Sequence, residues 1–69
     1  MNATKHRSQE RKNGMQWARD LSAWQRSAFI DSQGRGGFDW RDYFNVKPSS
    51  LFIDAAFCEA LRIERSAAA

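Results

Sequence analysis

Few residues of this 69-residue chain are of types that could do chemistry. Residues 34–37, Gly-Arg-Gly-Gly, could contact RNA or cradle a phosphate. Asp39 and Asp42 could act as a pair of acid and base carboxylates. His6 and Cys58, the only histidine and the only cysteine, could serve as a base and a nucleophile. Each interpretation depends on what surrounds the residues.

The glycine stretch lacks the context of a phosphate or RNA site. A phosphate-binding loop ends in Gly-Lys-Ser/Thr, and a dinucleotide-binding loop follows a strand of a βαβ unit. RNA-binding segments of the RGG type repeat the Arg-Gly pair, whereas this stretch has Arg35 alone. We therefore interpret the stretch as a connector in which Gly34 ends a helix and Gly36 and Gly37 permit the chain to reverse.

The remaining polar residues do not assemble an active site. A domain of this size has little room for a cleft that would separate the pKa values of two carboxylates, and helix capping explains Asp39 and Asp42. Nothing positions His6 as a base, and Cys58 is interpreted as a small packing residue. One cysteine and one distant histidine form neither a structural zinc site nor an intrachain disulfide. We expect no enzymatic activity, no metal and no cofactor.

Two amphipathic helices are predicted to position these residues. The first covers about 15–31, where apolar residues recur at offsets of 4, 3 and 4. Its predicted buried stripe is Trp17, Leu21, Trp24 and Ala28, and its exposed face carries Arg19, Ser22 and Arg26. The last helix covers about 50–65, and its predicted solvated side carries Asp54, Glu59, Arg62 and Arg65. Its alanines, Ala55, Ala56 and Ala60, are small enough for another helix to approach closely.

The segment between these helices is compatible with either a strand or a short helix. We favour a helix over about 39–45, capped by Asp39 and ended ahead of Pro48, because the residue before a proline is driven towards extended backbone. The sequence therefore predicts an all-α fold, a small three-helix orthogonal bundle. Its single compact domain covers 14–66, and residues 67–69 are predicted to fray.

The basic charge is concentrated at the N-terminus. Residues 1–14 carry four basic side chains and one acidic side chain, while the rest of the chain carries seven of each. Residues 1–13 have no large apolar side chain after Met1, which predicts a disordered basic arm. No apolar run suggests a membrane span or a signal peptide, and we expect a cytoplasmic monomer.

A protein-binding role fits this distribution of charge and aromatic residues. The simplest interpretation of the three tryptophans is that all of them are core residues. The alternative is that so small a bundle leaves one of them exposed as a docking patch, since tryptophan and arginine are enriched at interface hot spots. The predicted partner-binding residues lie in the arm and in the glycine bend, and they are Lys5, Arg7, Arg11, Lys12, Arg35, Phe38, Trp40 and Arg41. The alternative is a non-specific nucleic-acid binder that uses the same basic arm and loses affinity steeply with salt.

A small helical chain with a charged arm at one end and no catalytic motif resembles the small bacteriophage transcription regulators that bind and inhibit bacterial RNA polymerase. The resemblance lies in this profile over the full length, and no motif carries it. It implies contact with the large subunits of the polymerase, interference with promoter recognition, and a location in the host cytoplasm.

Overall fold

Three α-helices make up most of the structure, a computed structural model that describes residues 3–68. They are α1 (Ala3–Asp20), α2 (Ala23–Gly34) and α3 (Ser50–Ala68), with one 3-10 turn at Trp40–Asp42. The described residues contain no strand. The predicted all-α three-helix bundle is therefore confirmed.

Two of the three predicted helices have the wrong extent. The helix predicted over 15–31 is divided between α1 and α2. The helix predicted over 39–45 is only the single 3-10 turn. The backbone amides of Tyr43 and Phe44 both donate to the carbonyl oxygen of Trp40 at the end of this turn. The helix predicted over 50–65 is α3, which continues to Ala68 through most of the predicted frayed tail.

The predicted disordered arm is instead the first half of α1 over the residues that the structure describes, 3–13. Within it, the side-chain amide of Gln9 donates to Asn13 Oδ1 one turn later, at 2.8 Å. Ser49 Oγ donates to Glu10 Oε1 at 2.6 Å, which ties the helix to the start of α3. The helix in this segment differs from the predicted disorder, and these two contacts lie within it.

The chain breaks between α1 and α2 because a new helix is capped at Ser22. The Ser22 Oγ accepts from the Gln25 amide at 3.3 Å, and Gln25 Oε1 accepts from the Ser22 amide at 2.9 Å, which is a capping box. Arg26 donates to the carbonyl oxygens of Ala18 and Leu21, at 3.4 and 2.9 Å, and so satisfies acceptors at the end of α1. Arg26 is thus largely buried, contrary to its predicted exposed position.

Helices α1 and α3 lie side by side and run in the same direction. Glu10 bonds to Ser49 near the start of the paired region, and Arg19 bonds to Glu59 further along both helices. The segment between the two helices, including α2, returns the chain to the starting end. This register sets which side chains of α1 meet which side chains of α3.

Small residues line the contact between α1 and α3. Gly14 lies against the backbone carbonyl of Phe52, where an added Cβ would fall well inside van der Waals distance. Ala18, Ala56 and Ala60 are fully buried at the same contact region. The predicted role of the α3 alanines in close helix approach is confirmed for Ala56 and Ala60.

An aromatic cluster holds α2 and the glycine bend onto the other two helices. The ring of Trp17 is central, with centroid distances of 5.0 to 6.2 Å to the rings of Phe29, Phe38, Trp40, Tyr43, Phe44 and Phe52. The indole N–H of Trp40 donates to Gln33 Oε1 at 3.1 Å, so its polar atom is satisfied within the cluster.

Candidate functional site

The predicted partner-binding residues do not form one surface. Arg7, Arg11 and Lys12 are exposed on α1, and Arg35 and Arg41 are exposed on and after the bend. The side chain of Lys5 lies outside the described residues. Arg11 lines cavities with residues of α3, whereas Phe38, which is half-buried, lines a cavity with residues of α2. The structure therefore separates the two predicted groups.

The exposed tryptophan is Trp24, not Trp40. Trp40 is 4% exposed and packs in the aromatic cluster, so its predicted contact with a partner does not fit the structure. Trp24 is 73% exposed, although the sequence pattern placed it in the core. The break at Ser22 explains the difference, because it rotates the faces of α2 away from the stripe that begins at Trp17.

The residues of the bend have structural roles. Arg35 caps the end of α2, and its guanidinium lies 3.3 Å from the carboxylate of Asp31, one turn earlier. Gly36 adopts a φ of 76°, which favours glycine, as the predicted chain reversal requires. Asp39 accepts from the backbone amide of Arg41 at 3.0 Å, so its predicted capping role is confirmed.

A groove runs between α1 and α3, and we call it the α1–α3 groove. It consists of two adjoining cavities, of about 280 and 200 Å³. On α1 it is lined by Arg11 and Met15. Its lining residues on α3 are Leu51, Asp54, Ala55, Cys58, Glu59 and Arg62. Cys58 is exposed and borders both cavities, contrary to its predicted packing role.

An arginine row follows one side of α1 and enters the lining of this groove at Arg11 and Met15. Arg7, Arg11, Met15 and Arg19 follow one another at every fourth residue, which places them on the same side of α1. Arg7 precedes Glu10, where α1 first bonds to the start of α3, and it is exposed. The groove thus combines an apolar floor with an arginine-bearing edge.

The carboxylate of Glu59 fixes one edge of the groove. Glu59 is 4% exposed, and its Oε2 accepts from Arg19 Nε at 2.7 Å and from Arg62 Nη2 at 2.8 Å. Its Oε1 accepts from Arg62 Nε at 2.9 Å. Hydrogen bonds from Arg62 and then Arg19 lower the pKa of Glu59 from 4.5 to about 2, although burial opposes the shift. The predicted solvated position of Glu59 is therefore wrong, whereas Arg19 is exposed as predicted although it bonds to Glu59.

The cations of the groove differ in what they contact. Arg19 and Arg62 both form salt bridges with Glu59. Over the range with described side chains, residues 6–67, neither Arg7 nor Arg11 takes part in a salt bridge. Both were predicted from the sequence as partner-binding residues, and both are exposed. The sequence did not predict three of the lining residues as part of a site, namely Met15, Cys58 and Glu59. Their neighbours in the groove come from the other helix, which is distant in the sequence.

Comparison with protein-family models, curated proteins and solved structures found no match to this chain. None of the described helices has the length and hydrophobicity needed to cross a lipid bilayer.

Proposed function

We propose that the protein is a non-enzymatic, protein-binding regulator that docks onto an acidic segment of its partner through the α1–α3 groove. The observation that carries the proposal is the position of the arginine row beside an apolar floor. Arg7 and Arg11 supply charge that no carboxylate of the described residues pairs, and Met15, Leu51 and Ala55 supply apolar surface.

Such a groove suits an amphipathic polypeptide segment. Apolar side chains of the partner would lie over the floor, while its carboxylates would meet the arginines at the edge. Charges of this kind mainly accelerate association and select the partner, and a central arginine can become a hot spot. Two adjoining cavities along a pair of helices favour an elongated ligand over a compact small molecule.

We propose bacterial RNA polymerase as the partner, because the chain resembles small phage regulators that bind it. Binding would inhibit transcription initiation in the host cytoplasm. The groove favours protein over nucleic acid for a specific reason. Its floor of Met15, Leu51 and Ala55 offers apolar contact that a phosphate backbone does not use.

The proposal is tested by binding of the full chain to purified, nuclease-treated bacterial RNA polymerase. We expect Arg11→Ala to weaken binding at least fivefold, because it removes a cation shared by both cavities. Arg65→Ala is the matched control, since Arg65 is also exposed but lies on α3 outside the groove lining. We expect its affinity to stay within twofold of the unmodified chain.

Two results would contradict the proposal. Absence of binding would remove RNA polymerase as the partner. Binding of bare duplex DNA with a steep salt dependence, weakened equally by Arg11→Ala and Arg65→Ala, would instead support the nucleic-acid-binding alternative.

A further inference from the structure

A separate cavity of about 280 Å³ lies between α2 and the chain that follows the glycine bend, and we call it the α2–bend pocket. Trp24 lines it from α2. Phe38, Tyr43, Asp39 and Asp42 line it from the segment after the bend. None of these residues belongs to the α1–α3 groove. The function proposed above makes no use of this pocket.

Aromatic rings form the walls of the α2–bend pocket. Trp24 is 73% exposed and Tyr43 is 51% exposed, although large aromatic side chains are usually more buried. The rings of Phe38 and Tyr43 stack with centroids 5.2 Å apart and planes 22° apart. Trp17 packs edge-on against both rings, at 6.1 and 5.8 Å, and thereby fixes this wall from the core side. The pocket therefore has an aromatic wall that packs against Trp17.

The lining of the pocket is acidic. It contains Asp39 and Asp42 and no basic side chain. One oxygen of Asp39 accepts from the Arg41 amide, which leaves the other oxygen free of that bond. Among the described residues, the carboxylate of Asp42 forms neither a hydrogen bond nor a salt bridge. Arg35, the cation of the glycine bend, lies against Asp31.

We propose that the α2–bend pocket binds the arginine side chain of a partner polypeptide. Cations bind over the faces of tryptophan and tyrosine, and a planar guanidinium both stacks on such rings and bonds to a carboxylate in two places. A cavity of about 280 Å³ is at the small end of ligand sites, which suits one side chain rather than a cofactor. The charge of this site is opposite to that of the arginine row in the α1–α3 groove.

The test is an NMR titration of the full chain with the peptide acetyl-Gly-Arg-Gly-amide. We expect the indole N–H signal of Trp24 and the amide signals of Ser32 and Gly37 to shift with the arginine peptide. The same peptide with citrulline, which keeps the shape and lacks the charge, should bind at least fivefold more weakly. We expect Asp42→Asn to weaken binding of the arginine peptide at least threefold, and the control Asp20→Asn, at an exposed carboxylate outside both the pocket and the α1–α3 groove, to leave it unchanged.

A second pair of variants removes the aromatic wall. Trp24→Ala should abolish the response, and Val46→Ala is the control, because Val46 is an apolar side chain that is 78% exposed and lies outside the pocket. Equal binding of the citrulline peptide, equal binding of a lysine peptide, or an unchanged affinity in Asp42→Asn would overturn the proposal. If the NMR signals of the pocket residues shift when the chain is diluted without peptide, a second copy of the chain occupies the pocket. That result would also overturn the proposal.

Discussion

Gly14 of α1 lies directly against the backbone carbonyl of Phe52 in α3, with no room for a side chain between them. This contact sets how closely the two helices approach. It also places Arg19 beside Glu59, and Arg11 beside Ala55 and Cys58 of α3. The geometry of the α1–α3 groove therefore depends on a residue that has no side chain.

Gly14→Ala should destabilise the fold even though it improves helix propensity. Alanine is favoured over glycine in a helix interior by about 1 kcal/mol. The added methyl group must move backbone rather than a flexible side chain, and overpacking of this kind costs about 1–3 kcal/mol, so we expect a net loss of unfolding free energy. Gly34→Ala is the control, because its Cβ would meet only Phe57 Cζ at 3.9 Å. Urea denaturation that shows Gly14→Ala to be at least as stable as Gly34→Ala would refute the close contact.

Glu59 should make the stability depend on pH in acid. Its folded-state pKa of about 2 lies below the ordinary value of 4.5, so the unfolded chain binds the proton more readily. The stability contributed by this carboxylate is fully present above pH 4.5 and is lost as the pH falls from there towards about 2.

Glu59→Gln isolates this contribution. We expect a loss of about 1–3 kcal/mol at pH 7, because charge-assisted hydrogen bonds to Arg19 and Arg62 are weakened, and a difference that shrinks through the acid range. Glu64→Gln is the control, since Glu64 lies 3.8 Å from Arg26 and should change stability by less than about 0.5 kcal/mol. A Glu59→Gln deficit that stays constant in urea denaturation between pH 7 and pH 2 would argue against the depressed pKa.

Arg26→Ala should loosen the junction between α1 and α2. The substitution removes donors to the carbonyl oxygens of Ala18 and Leu21, and we expect a loss of about 1–2 kcal/mol. Amide hydrogen exchange should accelerate around the junction and in the first turn of α2. Arg41→Ala, at an exposed arginine, is the control. If both variants exchange at the same rate there, Arg26 does not hold the junction.

The helical class was predictable because apolar residues recur in α3 with helical spacing, and Phe52, Ile53, Ala56 and Ala60 are indeed buried there. The junction at Ser22 was not predicted, since the apolar stripe continues through it without interruption. The local signal was nevertheless present in Ser22 and Gln25, which form the capping box. At the junction between α1 and α2, side-chain hydrogen bonds to the backbone determine where α2 begins, and the spacing of apolar residues does not.

Only part of the candidate site could be read from the sequence. Arg7 and Arg11 were predicted as contact residues, and their spacing with Met15 shows that they share one side of α1. Glu59 and Cys58 could not be assigned to the groove, because their neighbours are set by the register between α1 and α3. The contacts that mark that register, Gly14 with Phe52 and Arg19 with Glu59, join residues about 40 positions apart, which sequence patterns do not reveal.

The central claim, that a partner docks in the α1–α3 groove, is tested most directly by the reactivity of Cys58. This residue is the only cysteine of the chain, it is exposed, and it borders both cavities. We predict that saturating RNA polymerase slows maleimide modification of Cys58 at least fivefold, measured by mass spectrometry of the small chain, and that Arg11→Ala restores the rate. An unchanged modification rate while the polymerase is bound would contradict docking in the groove.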